Sequence, residues 1–205
     1  QLTGLAGDGG EFQFVPYLLG VAHPTGYPLY CLLGWAWSHL LPLGDVAYRM
    51  NLFSAFTSAV AVGLVYPVSL LLFRQALPLL STPARRLLGA LAAALFGTTP
   101  TLWSQSVIAE VYGLHILIVV LFLYLLLRWG EEGRFRLLVM AAGCFGLGLA
   151  HHRTTLLLVP AALAYVWLMR GSAGLVSNRK VGRWLGVVAA ALVPLLLYLY
   201  IPLRA

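Results

Sequence analysis

Tyr112-Gly113-Leu114-His115-Ile116-Leu117-Ile118-Val119-Val120-Leu121-Phe122-Leu123-Tyr124-Leu125-Leu126-Leu127-Arg128-Trp129 is a nearly unbroken apolar run. In lipid no water satisfies backbone N–H and C=O groups, so such a run folds as a helix that satisfies its own. Five more apolar segments surround it: about Leu52 to Phe73, Leu87 to Trp103, Leu137 to Ala150, Thr154 to Met169 and Leu185 to Leu203. The whole chain is 61% hydrophobic and 9% charged, with a mean hydropathy of +0.90. These values predict an all-α, polytopic helical membrane protein with about six spans. They exclude a soluble globular enzyme.

A formal charge of +7 raises the question of nucleic acid, and the position of the basic residues answers it. Ten of the thirteen lie in three loops between apolar runs: Arg74, Arg85 and Arg86; Arg128, Arg134 and Arg136; Arg170, Arg179, Lys180 and Arg183. By the positive-inside rule those loops are cytoplasmic, and no nucleic-acid partner is implied. Trp129, Trp167 and Trp184 at inner ends and Trp103 at an outer end read as interfacial anchors. The opposite loops collect Asp8, Glu11, His23, Asp45, Arg49, Glu110, His115, His151, His152, Arg153 and Arg204, with His39 on the same side. Chemistry, if present, belongs to the non-cytoplasmic face.

The opening loop is poor lipid filler. Gly7-Asp8-Gly9-Gly10-Glu11-Phe12 holds two carboxylates among glycines, which admit backbone conformations closed to other residues. Asp8 with Glu11 three residues on also fits a helix cap, and both readings stand on the sequence. His23-Pro24-Thr25-Gly26-Tyr27-Pro28 interrupts any helix twice. Residues 14–43 are therefore expected as short helices and turns at the interface, with 1–46 an outer-face loop region and 47–205 the transmembrane helices of one domain. The chain begins beside this motif without an initiator methionine or signal-peptide pattern, so a first span is expected before Gln1.

Two further outer clusters stand out. A helix of about 14 residues, as over 137–150, spans only ~21 Å, short of a ~30 Å hydrocarbon core. The turn His151-His152-Arg153-Thr154 would then lie below the outer surface, where ionisable groups point to function; a polar hairpin tip among headgroups is the bland alternative. Adjacent histidines on a helix diverge by roughly 100°, against joint chelation of one metal by His151 and His152. Phosphate binding by His152 or Arg153 is the more natural chemistry. Glu110, in Trp103-Ser104-Gln105-Ser106-Val107-Ile108-Ala109-Glu110, either faces the same cavity or is an exposed loop carboxylate. Cys31 and Cys144 read as packing residues, and so do the small residues Gly89, Ala93, Gly97 and Ala142, Gly146, Ala150. Glu131 and Glu132 read as a solvated cytoplasmic turn.

Five co-linear blocks together resemble one family: Gly7 to Phe12, Leu19 to Tyr30, Arg49 to Ser54, Ala109 to Tyr112 and Gly148 to Thr154. It is a bacterial membrane-protein family of unassigned function related to the eukaryotic transmembrane-protein-260-type protein O-mannosyltransferases, within the GT-C glycosyltransferase superfamily. The resemblance implies a GT-C-like transmembrane core in the plasma (inner) membrane, multi-pass, with its active face non-cytoplasmic. It implies a transferase that moves a sugar, with mannose the family's example, from a polyprenyl-phosphate donor to a hydroxyl on a protein or glycan acceptor, with inversion. Asp8 matches the carboxylate such enzymes carry in the first outer loop, with Glu11 second; His23, Tyr27, Glu110, His151, His152 and Arg153 would bind substrate and lipid phosphate. Monophosphate-linked donors in this superfamily resemble metal-independent cases, so no cofactor and no metal is expected. Membrane lipids, donor and acceptor are the implied partners. The rival reading is a non-catalytic subunit held by other subunits of a membrane complex. A transporter fits less well, since its ionisable groups should lie near the midplane of both halves.

Overall fold

The computed structural model describes residues 8–170 and 178–204. Gly7 and residues 171–177 of the third basic loop lie outside the described residues, as do the side chains of Arg170, Arg179 and Lys180. The described residues form helices α1 (Gly9–Phe14), α2 (Pro28–Leu40), α3 (Val46–Ala76), α4 (Thr82–Gly97), α5 (Pro100–Ser106), α6 (Tyr112–Glu132) and α7 (Phe135–His151). A 3-10 turn over Arg153–Leu158 leads into α8 (Val159–Arg170). After α9 (Asn178–Leu192) a second 3-10 stretch, Val193–Leu199, leads into α10 (Tyr200–Arg204).

All six apolar segments are helical, and this is a helical membrane protein. Val46–Ala76, Tyr112–Glu132 and Gly182–Arg204 are each long and apolar enough to cross a membrane. Thr82–Gly97 and Pro100–Ser106, bent by 62°, make a fourth candidate as one broken span. Phe135–His151 and Arg153–Met169 are shorter apolar helices, the two segments whose length the sequence singled out.

Local chemistry explains where the helices begin and stop. The Asp45 carboxylate accepts the Tyr48 N–H at 2.7 Å and so caps α3. Ser81 does the same for α4 through the Ala84 N–H at 3.4 Å, with a proline in the first turn. Gly133, at φ 65°, closes α6 by turning left-handed and donating its N–H to the Trp129 carbonyl at 2.8 Å.

The core runs along α6 from Val111 to Trp129, with α7 beside it, and takes in residues of α1, α2 and α3 at one end. Phe12, Tyr30, Met50, Phe53, Val111 and Ile118 are all buried there. Small residues permit the close helix crossings. A Cβ on Gly113 would meet Ser58 Oγ at 2.7 Å and the Ser54 carbonyl at 2.9 Å across the α3–α6 seam. One on Gly146 would strike the Ala191 carbonyl of α9, and one on Gly97 would meet Val62 at 3.1 Å. The packing role read for the small-residue spacing holds. Cys31 and Cys144 are free and buried, and Cys144 donates to the Ile118 carbonyl at 3.3 Å.

Two readings need correction. Trp129 is only 2% exposed, so it packs in the core instead of anchoring at an interface, whereas Trp103 and Trp167 are exposed. Glu132, read as solvated, is partly buried and engages Arg128 as well as Arg134 at 3.1 Å, whereas Glu131 is exposed as expected and lies 3.7 Å from Arg74.

Candidate functional site

The loop from Asp8 to Tyr27 is closed by one carboxylate. Glu11 Oε1 accepts the backbone N–H of His23 at 2.8 Å, and Glu11 Oε2 lies 2.7 Å from His23 Nδ1. A carboxylate at pH 7 only accepts, so Nδ1 carries the proton and Nε2 is the nitrogen turned outward. His23 Nε2 faces Asp8 Oδ2 at 3.8 Å. Asp8 occupies the N-cap position of α1, yet its side chain makes no capping hydrogen bond and is 63% exposed. That decides between the two sequence readings: the carboxylate is available, and the cap is not its role. Ligand atoms of Asp8, Glu11 and His23 all lie within 4.8 Å of one another, close enough to surround a divalent ion. Such an ion would use His23 Nε2, because Nδ1 is committed to Glu11.

Aromatic rings set the floor of the site. Phe12 is buried, with its ring centroid 5.4 Å from His23, 5.5 Å from Tyr27 and 5.3 Å from Tyr30. Tyr27 holds a left-handed backbone, φ 42° and ψ 53°, at the start of α2. For a non-glycine residue that costs about 1–2 kcal/mol, which the packing around it offsets. The strained residue is the one whose ring joins the two halves of the site. It lies 5.4 Å from His23 on one side, and 6.0 Å from His151 and 6.4 Å from His152 on the other. Burial pushes the Tyr27 hydroxyl above its usual range, and the neighbouring Tyr112, Asp8 and Glu110 add to this.

Glu110 comes from the connection between α5 and α6, which Ser54 pins by accepting the Glu110 N–H at 3.1 Å and donating to its carbonyl at 3.2 Å. Its carboxyl is pushed above the ordinary Glu range chiefly by burial, and the Asp8 charge adds to the effect. The Val111 backbone and His23 pull the other way. Glu110 is half-buried and shares its field with Asp8 and His23.

The histidine pair divides as its helical geometry requires. His151 is fully buried and its Nε2 donates to the Val111 carbonyl at 2.9 Å, which places it behind the site as a core partner. His152 is half-buried, 5.9 Å from Tyr112, and burial pulls its pKa below the ordinary value. Arg153 is exposed and makes no ion pair among the described residues. So the structure gathers Asp8, Glu11, His23, Tyr27 and Glu110, with His152 across the Tyr27 ring; it does not bring Arg153 into contact with them.

Three neighbours escaped the sequence reading as site residues: Tyr112, His115 and Thr154. Thr154 Oγ1 lies 3.0 Å from His115 Nε2 and 2.8 Å from His152 Nδ1, and the His115 and His152 rings are 4.7 Å apart. A signal for His115 existed, since an ionisable side chain one turn inside an apolar helix needs a partner. Its partner Thr154 is far along the chain and visible only in the fold.

The family model described as the protein O-mannosyl-transferase TMEM260 N-terminal domain matches residues 8–174. All the candidate residues fall within that match. Over 164 residues the chain is 36% identical to the protein O-mannosyl-transferase TMEM260 of Mus musculus, covering 78% of this chain and 22% of the relative. Over 179 residues it is 27% identical to the protein O-mannosyl-transferase tmem260 of Dictyostelium discoideum, covering 80% and 20% respectively. The chain therefore spans about a fifth of the length of the curated relatives it matches. No solved structure matches it.

Proposed function

This chain belongs to the family of the protein O-mannosyl-transferase TMEM260 N-terminal domain, and on that premise we propose that it carries the reaction centre of a membrane glycosyltransferase. The enzyme takes a sugar, mannose by the relatives' printed name, from a polyprenyl-phosphate donor. It passes the sugar to a hydroxyl of a protein or glycan acceptor on the non-cytoplasmic face of the plasma membrane. Residues 1–46 are the outer-face region of this single domain and 47–205 its transmembrane core. No resident metal or organic cofactor is assigned to the reaction.

The observation that carries this reading is the carboxylate of Asp8, exposed and not used as a cap, beside a His23 held by Glu11. A hydroxyl is a weak nucleophile. Asp8 removes its proton as the oxygen bonds to the anomeric carbon, and the bond from that carbon to the phosphate oxygen breaks with its electron pair leaving on phosphate. One displacement inverts the anomeric centre. Growing negative charge on the phosphate meets His152 as a donor held in place, and Arg153, exposed and without an ion pair among the described residues, is the cation that would reach it. Glu11 orients His23, Glu110 lies in the same field, and Tyr27 walls the sugar site.

The test is the full-length protein in membranes with radiolabelled polyprenyl-phosphate sugars, compared with Asp8→Asn and Arg153→Ala at equal expression. Loss of a general base lowers transfer by about 10²–10⁴-fold in Asp8→Asn. No transfer by the intact protein from any donor, mannose included, overturns the enzyme reading. Transfer that survives Asp8→Asn keeps the enzyme and removes Asp8 as its base.

A further inference from the structure

Behind the carboxylates, the three histidines and Thr154 form a network whose proton positions follow from its partners. His151 Nε2 faces the Val111 carbonyl, which only accepts, so Nε2 bears the proton. The buried His151 Nδ1 has no hydrogen-bond partner and is the lone-pair nitrogen. The line His115 Nε2, Thr154 Oγ1, His152 Nδ1 can run in either of two directions, because a hydroxyl has one proton to give.

Run from His152 toward His115, it creates two conflicts. His152 Nδ1 would carry a proton directed at the Thr154 backbone N–H, 3.4 Å away. His115 would accept at Nε2 and carry its own proton on Nδ1, a buried atom with no hydrogen-bond partner. A buried orphan N–H is rare and costly, while an orphan acceptor is tolerated more readily. Run the other way, both conflicts vanish. His115 Nε2–H donates to Thr154 Oγ1, the Thr154 hydroxyl donates to His152 Nδ1, and the Thr154 N–H points at the same lone pair.

We propose that His115 and Thr154 are positioning residues that hold a neutral His152 in its Nε2–H tautomer, so that it presents an N–H donor to an anionic phosphate oxygen beside Tyr27 and Tyr112. The tautomer is a property of the chain itself; its use on the donor phosphate rests on the transferase reading. A neutral donor fixed this way needs no rearrangement as charge develops, which is the condition for stabilising a transition state over a ground state. Burial of His152 disfavours a second proton and acts in the same direction.

The experiment is ¹⁵N solid-state NMR of the full-length protein, labelled with ¹⁵N-histidine in lipid bilayers, with His152 assigned by difference from His152→Asn. The expected spectrum shows an unprotonated Nδ1 and a protonated Nε2 for His152. Thr154→Val mixes the tautomers and Thr154→Ser restores the single form. His115→Phe shifts the population less, because the Thr154 hydroxyl remains. In the transfer assay Thr154→Val lowers kcat about tenfold, the size of one lost hydrogen bond, with KM little changed and Thr154→Ser recovering activity. A protonated Nδ1 in the wild-type protein, or an unchanged tautomer in Thr154→Val, overturns the assignment. A shifted tautomer with unchanged kcat overturns the positioning role. The assigned tautomer together with no transfer from any donor leaves the network standing and removes the transferase reading instead.

Discussion

The two ends of α6 and α7 treat charge in opposite ways. Where α6 stops and α7 begins, carboxylates meet guanidinium groups: Glu131 faces Arg74, and Glu132 engages Arg128 and Arg134. A cavity of about 450 Å³ opens there, lined in part by the same charges. At the far end two of the three arginines take carbonyls. Arg49 donates to Ser38, Leu43 and Gly44, and Arg204 to Leu18 and Leu19, which ties α10 to the opening loop. Of the carboxylates at that end, Asp45 caps α3, Asp8 and Glu11 face His23, and Glu110 feels the charges of Asp8 and His23. Asp8 is exposed there, with His23 as its neighbour.

The largest expected effect sharpens this contrast. Asp8→Asn should cost about 10²–10⁴-fold in transfer, while Glu131→Gln, at the paired end, should leave transfer unchanged in the same radiolabel assay. Comparable losses in both would erase the distinction between the ends. Next in size is Glu11→Gln. Glutamine keeps an acceptor for the His23 N–H but loses the charge opposite the imidazole, so turnover should fall about tenfold, in keeping with one charge-assisted hydrogen bond. A loss as deep as that of Asp8→Asn would shift the base assignment to the Glu11–His23 pair.

Much of this contrast was legible in the residues. The apolar runs, the basic loops and the proline-broken loop have local causes, namely lipid solvation, charge placement and a missing N–H. Asp8, Glu11 and His23 stood out because glycines and carboxylates are costly in such a chain. What the residues could not show was the partner of each group. Glu11 as the clasp of His23, Tyr27 as the ring between two clusters, and Thr154 between His115 and His152 all depend on contacts made across the fold. Trp129 misled for the same reason: its position at a helix end fits an anchor, and only packing against neighbouring helices reveals it as core.

His152 makes the difference between the ends visible as pH dependence. Its folded-state pKa is depressed by burial, so as pH falls through the ordinary histidine value of about 6.5 the unfolded chain takes up a proton that the folded one does not. Its contribution to stability is therefore present above that value and is lost as pH falls through the window toward the depressed folded value. Thermal unfolding followed between pH 7.5 and 5.5 should show a loss of stability that His152→Gln reduces. An identical pH slope in the variant would remove His152 as a contributor.

The smallest effect belongs to the paired end. Glu132→Gln removes a carboxylate shared by Arg128 and Arg134, in positions where water still reaches the side chains. Pairs of this kind contribute about 1 kcal/mol or less, since side-chain ordering and solvent screening offset the attraction. Stability should fall by about that amount in denaturant titrations, with transfer unchanged. The arginines left behind are already partly hydrated, so no deeply buried charge is stranded. A drop in transfer to match Glu11→Gln would mean that the charge at this end is felt some twenty residues away, at the other end of α6. The two ends would then work as one unit, and the division between the paired charges at one end and the site at the other would fail at its weakest link.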